Sequence, residues 1–347
     1  MKNQILYLAS FLSFMFLFNA CDETEAPPKI EYNTKRLSVD RKYVDVNAEP
    51  LDSLELIQNT FILEQHMGKI YINDWNRQEV QEYTNDLEKL RTYGGAGGGP
   101  NEFRSLIKLS FAGNSFFGID SDQRIIKEFE LGEVSAKRQI RFDELLLDKA
   151  VPLDNDLFLA CGSSETMKFG FFIVSASSGE IVEEINPELN KVINEIEHPT
   201  MGYDGNFTVD PITGMIAYYC HMYNRMYVFN RDGSFNKEIV TIDNTPIPVM
   251  VENGKITAYQ NGQRSAMAGV SVYNGKAYVI SRAPDKTTKG NRPIDVYNLN
   301  TGEYDMSFQM PYGDGGRPKQ LVKNDQGMYI LYEEFGVIRF ELDENIS

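Results

Sequence analysis

The chain has little of the usual material of catalysis: 347 residues carry three histidines, three cysteines and one tryptophan. His66, His198 and His221 lie far apart, with no His-Glu-x-x-His or paired-His spacing, so no zinc or copper ligand set is visible. No Cys, His and Asn constellation can be assembled either. Basic runs are missing as well. With 34 Lys and Arg against 50 Asp and Glu, the formal net charge is −16, which argues against a nucleic-acid partner because neutralising phosphates takes clustered cations. Nothing in the sequence calls for a cofactor or a metal.

What is present is apolar and extended. A hydrophobic content of 42% supplies a core for one large domain or two ordinary ones. From about Arg36 onwards, short runs rich in Val, Ile, Phe and Tyr alternate with Gly, Asn and Asp turns, and only Pro187 to Ile196 has helical spacing. The class is all-β.

One stretch organises the rest. Tyr93 to Phe103 reads Tyr-Gly-Gly-Ala-Gly-Gly-Gly-Pro-Asn-Glu-Phe, and a shorter echo, Tyr312 to Pro318, sits at the matching place near the other end. Glycines reach positive φ cheaply and Pro100 holds Gly99 extended, so both stretches suit a crossing from one small sheet to the next. A phosphate-cradling loop is the other use of such glycines. It would need a Gly-Lys-Ser/Thr ending and a helix, and neither follows.

Between the crossings the strands fall into groups of four. Their outer hairpins repeat: Tyr227 to Ile239, around Asp232-Gly233, parallels Asp295 to Tyr304 around Gly302, with weaker copies at Phe172 to Ile181 and Lys127 to Val134. A strand, a Gly turn and a second strand recurring roughly every 40 to 60 residues is the spacing of propeller blades. A six-bladed β-propeller over residues 36–347 follows; a pair of β-sandwiches is the alternative, but gives no reason for the repeat. The third group has only a weak first strand near Val151. The last group offers three strands, so an N-terminal strand, Arg36 to Asp40 or Val44 to Val46, is expected to complete it and close the ring.

Residues 1–20 read as an export signal: Lys2, an apolar Ile5 to Phe18, and Ala20 before Cys21. The apolar run is short for a span, which takes about 20 residues. The segment resembles a lipobox, from which Phe18 and Asn19 depart, and Asp22, Glu23 and Glu25 resemble the acidic tag of surface-exposed lipoproteins. Lipidation of Cys21 is the favoured reading and an ordinary signal peptide with an incidental thiol the other. Residues 21–35, with Pro27 and Pro28, would then be a flexible tether.

Gly94, Gly97, Gly99, Pro100, Glu102 and Phe103 match the pattern Gly-x-x-Gly-x-Gly-Pro-Gly-Glu-Phe/Tyr. In this the chain resembles the six-bladed β-propeller lipoproteins of Gram-negative bacteria known as TolB-like or NHL-like. The resemblance implies a propeller and an outer-membrane lipoprotein facing the periplasm or the cell surface, and no particular chemistry. Asn101 stands where the pattern has glycine, and is expected to tolerate the left-handed backbone there.

Candidate chemistry is sparse. Cys161 and Cys220 end apolar strands and read as buried free thiols rather than a disulfide. Asp120 with Asp122, and Asp154 with Asp156, lack the continuation of a calcium loop and read as turn carboxylates. His66 and His198 fall in turns and are expected to be solvated. The loops on one face of the ring bring a candidate ligand-binding set: Trp75, Arg77, Arg124, His221, Tyr223, Arg225, Arg282 and Arg317. Trp, Tyr and Arg dominate recognition hot spots, although the aromatics can equally pack between blades and the arginines pair with the acidic excess. Pro246 to Gln263 reads as an extra hairpin. The set suggests a non-catalytic module binding an envelope protein or glycan; the alternative is a metal-dependent hydrolase or lyase working in the central channel.

Overall fold

The computed structural model describes residues 39–342 apart from 56–59, 155, 249, 254–255, 260–264, 284–291, 311–315 and 334–335. The export signal, Cys21, the tether and most of the Tyr312 to Arg317 crossing lie outside the described residues.

The first strand, β1 (Ala48–Glu55), belongs to the last blade. Blade I is β2 (Leu63–His66), β3 (Lys69–Asp74), β4 (Glu79–Tyr83) and β5 (Lys89–Gly94). Blade II is β6 (Leu106–Ala112), β7 (Ser115–Asp120), β8 (Ile125–Glu130) and β9 (Ala136–Arg141). Blade III is β10 (Leu145–Pro152), β11 (Leu157–Ser164), β12 (Met167–Ser175) and β13 (Ile181–Glu184), followed by two short helices, α1 (Pro187–Ile193) and α2 (Pro199–Gly202). Blade IV is β14 (Gly205–Val209), β15 (Ile216–Cys220), β16 (Arg225–Phe229) and β17 (Phe235–Val240). The expected hairpin follows as β18 (Met250–Asn253) and β19 (Ile256–Tyr259). Blade V is β20 (Met267–Tyr273), β21 (Lys276–Ser281), β22 (Ile294–Asn298) and β23 (Tyr304–Phe308). Blade VI is β24 (Pro318–Asn324), β25 (Gly327–Tyr332), β26 (Gly336–Leu342) and, outermost, β1. Six four-stranded antiparallel sheets in a ring make a six-bladed β-propeller.

The closing strand corrects the expectation. Neither 39–40 nor 44–46 is a strand; β1 pairs with β26 from Ala48↔Leu342 to Glu55↔Gly336. Just before it, the chain touches blade V, with Val44 N donating to Ser307 O at 2.9 Å and Ser307 N to Lys42 O at 2.9 Å. The N-terminal segment thus laces two blades together.

The repeat seen in the outer hairpins has a structural cause. Each outermost strand carries one extra residue against its partner: Leu51, Leu90, Lys137, Val182, Asn236 and Asp305. All are exposed. Such a bulge twists the strand and blunts a sheet edge that could otherwise pair with another chain. That β1 repeats it shows blade VI to be built like the rest.

The core lies between blades. Where III meets IV, the buried ring of Phe171 lies 5.1 Å from Tyr218, 5.2 Å from Phe229 and 5.6 Å from Tyr227. Cys161 and Cys220 are free thiols in the same cluster, and burial pushes both pKa values up. Of the stretch with helical spacing at 187–196, residues 187–193 fold as α1, capped by Asn186, whose side chain accepts from Leu189 N.

The glycine crossing works differently from a phosphate loop, because its carbonyls point inward. The buried ammonium of Lys127 donates to Gly99 O at 2.8 Å and also to the Glu102 carbonyl, over the ring of Phe103. Gly94 has φ 83°, and a Cβ there would stand 2.8 Å from the Phe103 ring. Asn101 is not left-handed; its Oδ1 instead accepts from Ala136 N at 2.8 Å, tying the crossing to β9.

Arg41 anchors the lacing segment. Its Nε donates to Asp295 Oδ1 at 2.8 Å and Nη2 to Ser281 Oγ at 3.0 Å, with both charged side chains at 1% exposure or less. Removing one partner of a buried pair typically costs about 3–5 kcal/mol. Arg41→Met is therefore expected to lower stability by that order in denaturant unfolding, and adding Asp295→Asn to recover part of it. An unchanged midpoint in Arg41→Met would show that the ring closes without this latch.

Candidate binding site at the channel mouth

Where the chain crosses between blades, all six contribute to one cavity of about 450 Å³ at the end of the central channel. Blade I gives Phe61, Ile62 and Trp75, and blade II Ile107. Blade III gives Lys149, and blade IV Asp204, Asn206, Tyr219 and His221. Blade V gives Ser265, Met267, Ala268 and Arg282, and blade VI Lys319 and Gln320. The volume is that of small-molecule sites, roughly 300–1,000 Å³.

Bulges shape it. The inner strands β6, β10, β20 and β24 each carry an extra residue near this end: Ile107, Asp148, one of Ala268 and Gly269, and Lys319. A bulge interrupts strict alternation and re-aims neighbouring side chains. In β24 it lets Lys319 line the cavity beside Gln320; in β10 it sets Asp148 against Lys149, an ion pair of 2.6 Å.

The aromatic side is equally constrained. Asn73 Oδ1 accepts from Phe61 N at 3.0 Å and Ile62 N at 2.8 Å, fixing the entry to β2. Phe61 then meets Trp75 edge-on with centroids 5.2 Å apart. Lys319 Nζ lies 4.5 Å over the Phe61 ring and donates to Thr60 O at 2.7 Å.

Cations outnumber acids here. Lys149, Arg282 and Lys319, beside the imidazole of His221, face a single cavity-lining carboxylate, Asp204. Burial raises the Asp204 pKa, against the opposing charges of His221 and Lys149. Burial lowers that of His221, with Asp204 opposing. For Lys149, burial works against the charge, but Asp148 and Asp204 outweigh it and the pKa rises. Burial lowers the Lys319 pKa, and burial with the nearby Arg292 lowers that of Arg282.

Deeper in, the buried Lys108 crosses the channel, its Nζ donating to Glu64 Oε1 at 2.5 Å and to Phe207 O at 2.9 Å. A second cavity, about 320 Å³, opens on the opposite face. Its charges are satisfied locally: Arg231 pairs with Asp154 at 3.3 Å, and Asp210 accepts from Gly275 N at 2.7 Å and Ile212 N at 2.9 Å.

Of the residues expected from sequence, the cavity unites Trp75, His221 and Arg282. Arg77 points outward beside Asp74, and Arg124 is exposed in a left-handed turn, φ 56°. Tyr223 carries Arg225 on its face at 4.6 Å and meets Tyr203 at 5.8 Å, while Arg225 pairs with Glu238. Arg317 is exposed at the start of blade VI. Sequence reading missed Phe61, Lys149, Asp204 and Lys319. For Lys149 and Lys319 the available signal was a charged residue within a first strand; Phe61 and Asp204 stand just before theirs. Two histidines expected in solvent are better placed than that: His66 Nε2 lies 2.7 Å from Gly113 O with its ring stacked on Phe111, and His198 is the N-cap of α2. Asp120 is a turn carboxylate, accepting from Arg104 N at 2.9 Å and Gln123 Nε2 at 2.6 Å.

No family model matches the sequence, and no curated protein does. Among solved structures the chain is similar to a protein of Bacteroides fragilis NCTC 9343 described as exported, with TM-score 0.56 and 12% identity over 86% of this chain and 94% of that one. It is also similar to a member of the DUF4221 family from Bacteroides vulgatus ATCC 8482, with TM-score 0.50 and 12% identity over 89% of this chain and 99% of that one. At such identities the likeness is one of fold.

The electrostatics can be checked directly. The Asp204 carboxylate raises the His221 pKa, so Asp204→Asn should move the His221 titration, followed by NMR, to lower pH. An unchanged titration would mean that the two side chains do not act on each other, and one moved upward that Asp204 does not favour the proton on His221.

Proposed function

We propose that the protein is an outer-membrane lipoprotein, anchored through Cys21, whose propeller is a non-catalytic binding module for an envelope protein or glycan. The export-like residues 1–20, the resemblance of the glycine crossing to lipoprotein propellers, and a structural neighbour described as exported support the location. The observation that carries the binding reading is the mouth cavity, where an aromatic pair and four basic side chains from different blades meet one carboxylate. A hydrolase or lyase of the alternative kind would use two carboxylates, or a metal held by several. Among the described residues, no group of three or more His, Cys, Asp and Glu is placed to hold a metal ion. Recognition through Trp75 and the cations needs no reacting group.

Trp75 is the chain's only tryptophan, so fluorescence excited selectively in tryptophan reports this site alone. Titrating the mature domain with envelope glycan and protein fractions is expected to shift its emission for at least one fraction, and Trp75→Ala, which lacks the reporter and is followed by calorimetry, to weaken that binding at least ten-fold, or about 1.4 kcal/mol. Emission unmoved by every fraction, or new products in the same mixtures, would sink the reading. For the anchor, palmitate labelling of expressing cells should tag the wild type and not Cys21→Ser; equal labelling of both would refute it.

A further inference from the structure

We infer that the ligand of the mouth cavity is an acidic sugar, its carboxylate or sulfate held between Arg282 and Lys319 and its ring against Trp75 and Phe61. This rests on the cavity being a binding site and adds the ligand's chemistry. The first ground is charge. A chain of net charge −16 concentrates Lys149, Arg282 and Lys319, beside the imidazole of His221, around one pocket whose lining holds one carboxylate, Asp204.

The second ground is which of these cations are already neutralised. Lys149 has Asp148 at 2.6 Å. The neighbouring Arg292, outside the lining, has Glu333 at 2.9 Å and donates to Pro318 O at 2.6 Å. Among the described residues, neither Arg282 nor Lys319 has a carboxylate at ion-pair distance, although Glu333, paired with Arg292, acts on both from farther off: Arg282 donates to Ser265 Oγ at 3.2 Å, and Lys319 to Thr60 O at 2.7 Å. A guanidinium carries five N–H donors and an ammonium three, so each keeps donors in hand. Partial burial depresses both pKa values, a cost that an anion between them would relieve.

The third ground is the remainder of the lining. Phe61 is 42% exposed although its ring touches Trp75 and Lys319, so it offers apolar surface to the pocket. Asn206, Gln320 and Ser265 supply neutral donors and acceptors suited to hydroxyl groups. An apolar ring face, hydroxyls and one acid are the features of an acidic saccharide. A flat protein surface does not enter a cavity of about 450 Å³.

The test uses the mature chain with a tetramer of galacturonate, a sulfated galactose tetramer, the neutral galactose tetramer and inorganic sulfate, followed by calorimetry and Trp75 emission. At least one acidic tetramer is expected to bind ten-fold or more tighter than the neutral one, and whichever binds identifies the acid. Arg282→Gln and Lys319→Gln should each remove about ten-fold of that preference, and Lys319→Arg should keep most of it, with circular dichroism confirming that all are folded. Equal binding of the neutral tetramer, inorganic sulfate binding as tightly as the acidic sugars, or unaltered affinity in both glutamine variants would overturn the proposal. If other envelope fractions shift Trp75 emission while the acidic tetramers do not, the cavity remains a binding site and only the acidic ligand is lost. If Trp75 responds to nothing, both fall.

Discussion

Everything in this molecule depends on the hydrogen-bonded seam between β1 and β26, because it is there that the ring is completed without a chain connection. Residues 48 and 342 face each other across it. Joining parts so distant in sequence carries a large loop-closure cost, repaid only by the contacts that closure makes possible. The segment gains more than one ladder for it. On its way to blade VI it pairs with Ser307 of blade V and sinks Arg41 onto Asp295, so that a single stretch fixes two neighbouring blades.

Once the ring is closed, its inner strands have to share a narrow channel. The side chains of an ordinary strand alternate between the two faces of its sheet, and near the axis the neighbouring blades leave both faces little room. At mid-depth the crowding is resolved by a charged bridge, Lys108 to Glu64 and the Phe207 carbonyl, which joins blades I, II and IV across the axis. At the mouth it is resolved by bulges, which let Lys319 turn inward and bring Asp148 beside Lys149. The cavity is thus a consequence of how four inner strands depart from regularity, and its chemistry sits on rigid elements rather than on loops alone.

The fold was legible because four outer hairpins announce themselves as a strand, a glycine turn and a strand, as in Tyr227 to Ile239. What was not legible follows from the same bulges. Ala48–Glu55 reads as polar and contains Pro50, yet an outermost strand needs only a weak apolar face, and its one-residue bulge at Leu51 breaks the alternation that would have marked it. In β10, Asp148 and Lys149 interrupt the apolar run, and an eight-residue strand looked like a weak one near Val151. The site divided along the same line. Trp75, His221 and Arg282 lie in or beside loops between second and third strands, whose common side follows from topology. Lys149, Asp204 and Lys319 are brought to them only by ring closure, which no local spacing encodes.

The acidity of the chain and the basic mouth are two parts of one arrangement. At physiological ionic strength the Debye length is about 8 Å, so the bulk of the acidic surface neither helps nor hinders an anion already inside the cavity. Outside it, the same acids make the rest of the surface unfavourable for a negatively charged ligand. Lys108 is neutralised by Glu64 and Lys149 by Asp148, which leaves the positive field of the mouth to Arg282 and Lys319. Selectivity then comes from excluding the ligand elsewhere as much as from attraction at the site, which is how a few cations on an acidic protein can define one binding place.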